Sequence, residues 1–194
     1  MAVLPGRVLV VCTGNVCRSP FMERRLRHEL AGTGIAVSSA GTRALVGEDM
    51  DSGTRTLLQD RQVDVTRFAA RELTTDLVAG ADLVVVAARE HRAATVRIHP
   101  AAMSRTFTLR DLADLLSGVI AAEIGDPAPG TTWVRHVADT ALRRRALVPA
   151  RQHGVDLLDP IGGPPSLFAE MAAEVDAALV PLVQVLLRNP KVTG

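Results

Sequence analysis

The sequence has no tyrosine, one tryptophan and four phenylalanines, and its only lysine is Lys191. These scarcities argue against a tyrosine acid, a Schiff-base lysine or a Walker-type phosphate-binding lysine. Cysteine is almost as rare. Cys12 and Cys17 stand alone at C-x4-C spacing, which does not close a zinc site that takes four ligands. His28, His91, His99, His136 and His153 show no ligand pairing either, so no metal is expected. No sign of charge prevails: 22 basic and 21 acidic residues leave +1, too little to draw the protein onto nucleic acid or an anionic membrane. The longest wholly apolar run, Leu83 to Ala88, is far below the ~20 residues of a membrane span. Met1 to Arg7 carries its charge after its short apolar stretch and has no h-region, so no signal peptide is expected there. The expectation is a cytoplasmic, metal-free protein without membrane insertion or nucleic-acid partner; the sequence does not fix the oligomeric state, and a monomer is favoured.

Apolar residues make up 47% of the 194, enough for a core, and the 22% of charged residues argues against disorder. Val8 to Val11 is a β-branched run typical of a strand buried on both faces. Phe21, Met22, Leu26 and Leu30 then recur at helical spacing from Ser19 to Ala31, and Gly32 and Gly34 close that helix. Ala36 to Ser39 reads as a strand, Met50 to Asp60 as a helix with Leu57 and Leu58 inward, and Leu83 to Ala87 as the strongest strand. A helix from Arg89 to Val96, a brief strand Thr106 to Thr108 and a helix Leu109 to Leu116 follow. Leu167, Met171, Val175, Leu179, Leu182 and Leu186 describe one stripe on a long helix that Pro181 should kink or divide. This alternation predicts α/β architecture: a doubly wound parallel sheet with helices on both faces. Residues 117–154, with their prolines and glycines and a helix-like piece from Trp133 to Arg145, read as an insertion packed on a single domain spanning 1–194.

The segment Val11-Cys-Thr-Gly-Asn-Val-Cys-Arg-Ser-Pro20 lies between the first strand and the first helix, where a doubly wound sheet holds its ligands. Ser19 as N-cap and Pro20 as first helical residue open the helix. Unpaired N–H groups at that start, joined by those of the curled loop, form an anion nest. Gly14 and Asn15 are residue types that accept left-handed backbone in such a curl. A free cysteine ionises near ~8.5, and a helix N-terminus or an arginine neighbour lowers this to roughly 3.5–7.5, so Cys12 is the expected nucleophile. Arg18 offers a planar fork for two phosphoryl oxygens. Thr13, Gly14, Asn15, Val16 and Cys17 complete a ring of N–H donors around one tetrahedral oxyanion. Ser19 can donate its hydroxyl to the sulfur and steady it as a leaving group. Cys17 is either a packing residue or the partner of a reversible disulfide with Cys12.

With a strand before it and a helix after it, this string resembles the phosphate-binding loop of the low-molecular-weight protein tyrosine phosphatases. The resemblance runs on through Glu23, Ser39-Ala-Gly-Thr42, Ala70-Arg71, Asp82-Leu-Val-Val-Val86 with Glu90-His91, and Asp159-Pro160, and leaves out chiefly 117–154. It implies a four-stranded parallel sheet, no cofactor, and two-step hydrolysis of a phosphorylated protein or small phosphomonoester. The cysteine attacks phosphorus while an aspartic acid protonates the leaving group; water activated by the same aspartate then releases phosphate. Two Asp-Pro pairs match the family signature. Asp159 stands shortly before the long terminal helix, as in the family, whereas Asp126 opens a Pro/Gly-rich stretch and reads as a turn. The Asp82 and Glu90-His91 matches read as structural, and Arg143-Arg-Arg145 as a solvated helix face.

The departures from the family concern selectivity. Ile161 and Gly162 follow Asp159-Pro160 where tyrosine-directed members carry aromatic clamps, and only Leu45, Val46, Ile161 and Trp133 are candidates to flank a phenyl ring. Val16, a methyl-bearing wall without a hydroxyl, favours phosphotyrosine over phosphoarginine, since the arginine phosphatase branch has Thr there. An arsenate reductase regenerated by a small thiol is the nearest rival, although Cys17 and Pro20 depart from its loop. A phosphoprotein-binding pseudoenzyme is the reading from another class, and the intact Cys12, Arg18 and Asp159 argue against it.

Overall fold

A computed structural model describes residues 3–188; Lys191 and the first two residues lie outside them. The sheet consists of β1 (Arg7–Cys12), β2 (Ala36–Gly41), β3 (Leu83–Val86) and β4 (Thr106–Thr108), all parallel, in the order β2-β1-β3-β4. From β1 the chain moves outward to β2 on one side and later to β3 on the other. The crevice at this reversal opens directly after Cys12. β1 and β3 are central and covered on both faces, so Val8 to Cys12 and Leu83 to Val86 are buried throughout.

The period of two along a strand sorts their side chains. Val8, Val10, Cys12, Leu83 and Val85 face one apolar cluster; Leu9, Val11, Val84 and Val86 face another. The first cluster is built by α1 (Arg18–Glu29), α5 (Leu109–Leu116) and α8 (Pro165–Leu187), with α2 (Ser52–Asp60) against α1 and α8. The second is closed by α3 (Thr75–Ala79), through Leu77 and Val78, and by a 3-10 helix, Pro100–Arg105, through Ala102. α4 (Arg89–Ile98) lies along β4. No described helix is long and apolar enough to cross a membrane.

Several boundaries depart from expectation for local reasons. α1 begins at Arg18, with Cys17 at the cap position and no side-chain cap, so Ser19 does not cap it. Gly32 and Gly34 take φ of 82° and 75° just beyond the helix, the left-handed geometry that glycine accepts. α2 starts at Ser52 because the Asp51 carboxylate accepts from Gly53 N at 2.8 Å. α8 is not divided at Pro181. The proline removes one backbone bond, while Leu179, Leu182, Val185 and Leu186 hold both sides of it in the core.

The stretch 117–154 contributes α6 (Ala121–Ile124) and α7 (Trp133–Arg144). Trp133, Val134, Val137, Ala138 and Ala141 of α7 enter the first apolar cluster. Trp133 N and Val134 N donate to the carbonyls of Leu4 and Pro5 at 2.7 and 3.1 Å, just ahead of β1. α7 therefore starts at the end of the sheet opposite the Cys12 loop. Trp133, 2% exposed, donates its indole N–H to Leu186 O at 3.0 Å and flanks no substrate. Of the three successive arginines Arg143 and Arg145 are exposed and Arg144 is half-buried. Arg144 donates to the carbonyls of Leu115 and Ser117, and Arg145 stacks on Phe107.

Candidate active site

The loop after β1 is held from outside by its own carbonyls. Cys12 O, Thr13 O and Gly14 O accept from Thr42, Arg43 and Leu45 N, each at 3.0 Å, and Val16 O accepts from Asp51 N at 2.9 Å. With the carbonyls turned to the 42–51 segment, the N–H groups of 13–18 have no backbone acceptor among the described residues. Of these residues Thr13, Gly14, Val16, Cys17 and Arg18 line the cavity beside Cys12, and free N–H groups grouped in this way suit an anion. Asn15 supplies the left-handed turn, φ 56°, and Gly14 does not. Gly41 is needed for a different reason: a Cβ there would overlap the Thr13 carbonyl oxygen.

Asn15 also settles which way the neighbouring hydroxyls point. Its Oδ1 accepts from Arg71 N at 2.9 Å, which fixes the amide orientation. Its Nδ2 then donates to Ser19 Oγ at 2.9 Å and to Ser39 Oγ at 2.8 Å. Ser39 donates its own hydroxyl hydrogen bond to buried Glu23, whose charge Arg27 meets at 2.9 Å. Ser19, having accepted from Asn15, keeps its hydrogen for Cys12 Sγ at 3.0 Å, closer than its other acceptor, Ala40 O at 3.5 Å. Glu23, Ser39 and Arg71 are thus a scaffold beneath the loop. The family string contains all three, but residue type alone assigned them no task.

Arg18 is 4% exposed. Its Nη2 meets Asp159 Oδ2 at 2.5 Å and Thr13 Oγ1 at 3.4 Å, while Nε is buried without a protein acceptor. A phosphoryl oxygen satisfies such a donor. Thr13 Oγ1 lies 2.9 Å from Nε2 of His91 on α4, which ties that helix to the loop, and His91 itself does not line the cavity. Burial and the charge of Arg18 push the His91 pKa down to about 4, which keeps the imidazole neutral near pH 7. Burial, and secondarily the charges of Asp51, Cys12 and Asp159, pushes the Cys17 thiol up to about 12. Cys17 is therefore held as a thiol in the reduced protein, packed with Val16, Ala70 and Phe168.

Cys12, Arg18, Asp159 and the ring Thr13, Gly14, Val16 and Cys17 border one cavity of about 260 Å3. Leu45 and Ile161 form its apolar rim, and Arg43, which the sequence reading did not single out, stands beside them. Val46 is exposed and outside this lining. Asp126 lies far along the fold, in a recess with Trp133 and Arg188.

This chain is similar to known proteins. Over 100 residues, 52% of this chain, the sequence is 37% identical to the low molecular weight protein-tyrosine-phosphatase Etp of Escherichia coli (strain K12), spanning 66% of that relative's length. It is 29% identical over 143 residues to a protein-arginine-phosphatase of Geobacillus stearothermophilus, covering 74% of this chain and 95% of the relative. The solved YwlE arginine phosphatase from Geobacillus stearothermophilus superposes with a TM-score of 0.71 over 98% of each chain, at 23% identity, which establishes a shared fold. Residues 7–141 match the low molecular weight phosphotyrosine protein phosphatase profile. Since that stretch takes in the whole sheet and the loop that follows β1, the chain belongs to the low molecular weight phosphotyrosine protein phosphatase family.

Proposed function

We propose that this chain is a cysteine-dependent phosphatase that hydrolyses phosphotyrosine, or a related phosphomonoester, through a cysteinyl-phosphate intermediate. The observation that carries the reading is the convergence of Cys12, Arg18 and Asp159 on one cavity, with Arg18 and Asp159 in contact at 2.5 Å. The family profile ends before Asp159, so the role of that residue rests on this geometry. In the first step the Cys12 thiolate attacks phosphorus, the bond to the ester oxygen breaks, and Asp159 gives that oxygen its proton. In the second, Asp159 takes a proton from water, the water oxygen attacks phosphorus, and the S–P bond breaks as Ser19 donates to the departing sulfur. Arg18 and the N–H groups of 13–18 hold the remaining oxygens where charge develops.

The rim supports phosphotyrosine over phosphoarginine. Leu45 and Ile161 offer apolar contact to a ring, and Val16 gives a guanidinium no hydrogen-bond partner. Arg43 adds a positive charge beside the entrance, which opposes a second guanidinium. A turnover panel tests this reading: phosphotyrosine, phosphoserine and phosphoarginine peptides, and arsenate with a small thiol. Phosphate release from phosphotyrosine should dominate. Faster release from phosphoarginine would assign the arginine activity, arsenate reduction alone would assign the reductase, and phosphate binding without turnover would assign a binding module.

A further inference from the structure

A larger cavity, about 490 Å3, opens beside the edge strand β4, between α4, α5 and residues 145–151. It shares no lining residue with the cavity above Cys12. The covering segment is tied to α5 and its end at both of its own ends. Arg144 Nε donates to Leu115 O at 2.6 Å and Nη2 to Ser117 O at 3.1 Å, while Arg151 grips Asp114 with two bonds of 2.8 and 2.7 Å. This is a formed concavity, within the ~300–1,000 Å3 usual for small-molecule sites.

Its charges are unbalanced. Four arginines and two aspartates border it, an excess of two positive charges. Arg151 occupies Asp114, which leaves the guanidinium groups of Arg89, Arg92 and Arg145 without an ion pair among the described residues, although the backbone N–H of Arg89 donates to the Asp156 carboxylate at 2.8 Å. Arg92 reaches only the carbonyls of Thr106 and Met103, at 3.0 and 3.5 Å. Arg89 reaches those of Arg151 and Gln152 at 3.5 and 3.4 Å. The Arg145 guanidinium has no hydrogen bond among the described residues and lies over the Phe107 ring, 4.7 Å from its centroid. Burial and the charge of Arg92 press the Arg145 pKa downward, with Asp111 pulling weakly the other way. Like charges gathered in one concavity, where Asp111 is the one lining carboxylate outside an ion pair, are stabilised by an anion.

We infer that this cavity binds a small organic phosphate, its dianionic group held by Arg92 and Arg145 and its carbon body laid against Leu115, Val148 and Pro149. The two-charge excess matches a phosphomonoester dianion, and guanidinium forks suit phosphate oxygens. The concavity suits a small molecule better than a flat protein surface. The site is independent of the catalytic reading above, because neither its residues nor its test depend on turnover.

AMP is the probe, with adenosine as the control, measured calorimetrically on the Arg18→Ala protein so that the catalytic cavity lacks its clamp. Saturable one-to-one binding of AMP is expected, with none for adenosine. Adding Arg145→Ala should weaken it about tenfold. Arg145→Gln, which keeps the stem over Phe107 and removes the charge, should do the same and guards against a folding defect. Arg145→Gln on the otherwise unaltered protein should leave turnover of p-nitrophenyl phosphate unchanged. No AMP binding, equal binding of adenosine, or indifference to both Arg145 variants overturns the inference. Binding of hexaglutamate in place of AMP overturns it too, in favour of an acidic protein partner.

Discussion

The Thr13 hydroxyl and the His91 imidazole stand 2.9 Å apart, one in the phosphate loop and the other in the first turn of α4. Because Thr13 Oγ1 also lies 3.4 Å from Arg18 Nη2, the contact ties the clamp residue to the helix that follows β3. The neutral state of His91 makes this an uncharged contact, and protonation places a second cation beside Arg18.

Stability should follow that proton. The folded pKa of His91, about 4, lies below its ordinary 6.5, owing to burial and Arg18; Glu90, Asp159 and Asp156 pull upward without prevailing. Between these values the unfolded chain binds the extra proton, so this contribution is complete above pH 6.5 and is lost as pH falls to about 4. The loss is on the order of 3 kcal/mol. Thermal unfolding from pH 7 to 4 should show Tm falling more steeply for the wild type than for His91→Gln. Parallel curves would remove His91 from this account.

Cys12→Ser should abolish turnover and still bind phosphate, since the N–H groups of 13–18 are untouched and a serine hydroxyl is far less ionised than a thiol. Arg18→Lys should be nearly as damaging, because a point charge does not reproduce the fork. Single-turnover kinetics with phosphate-binding calorimetry checks both; activity within tenfold of wild type in either would count against its role.

Asp159→Asn should lower kcat by about 10²–10⁴-fold, least for a substrate with a good leaving group. Asp126→Asn, at the far recess with Trp133 and Arg188, should be close to silent. The opposite ranking would reassign the acid.

Val16→Thr should shift relative kcat/KM towards phosphoarginine, because it places a hydroxyl in the ring that lines the cavity. An unchanged ratio of phosphoarginine to phosphotyrosine turnover would show that the rim, rather than this wall, sets the choice.

Gly41→Ala should destabilise the protein and lower phosphate affinity together, since the new Cβ meets the Thr13 carbonyl oxygen and the Asn15 amide nitrogen, 3.0 Å away. Both are backbone atoms of the loop and cannot swing aside. A variant with wild-type Tm and phosphate affinity would contradict the close approach of β2 to the loop.

What could be read before the structure was local. The apolar runs Val8 to Val11 and Leu83 to Ala87 identified the central strands because burial on both faces leaves a continuous signal. The string from Cys12 to Ser19 placed its loop because the motif and its flanking elements adjoin in sequence. Long-range relationships left no such trace. His91 meets Thr13 only because β3 lies beside β1, and Asn15 reaches Ser39 only across the β1–β2 register. The five residues of α3 are too few for a period to emerge. Trp133 was misplaced because a lone aromatic reads equally as substrate wall and as core, and the decision belongs to the chain around Leu4 and Leu186.

The position of α7 bears on how far this chain can be shortened. Residues 117–154 look removable in sequence, a detour between α5 and the Asp159 loop. Yet Trp133, Val134 and Val137 are buried in the same cluster as Val8 and Leu186. Truncating one buried tryptophan costs about 3–5 kcal/mol, against a typical total of roughly 5–15 kcal/mol. Excising the detour strips the underside of the sheet and bares the last turn of α8 as well. A trimmed version would need a redesigned floor of apolar-to-polar replacements beneath β1 before it could fold.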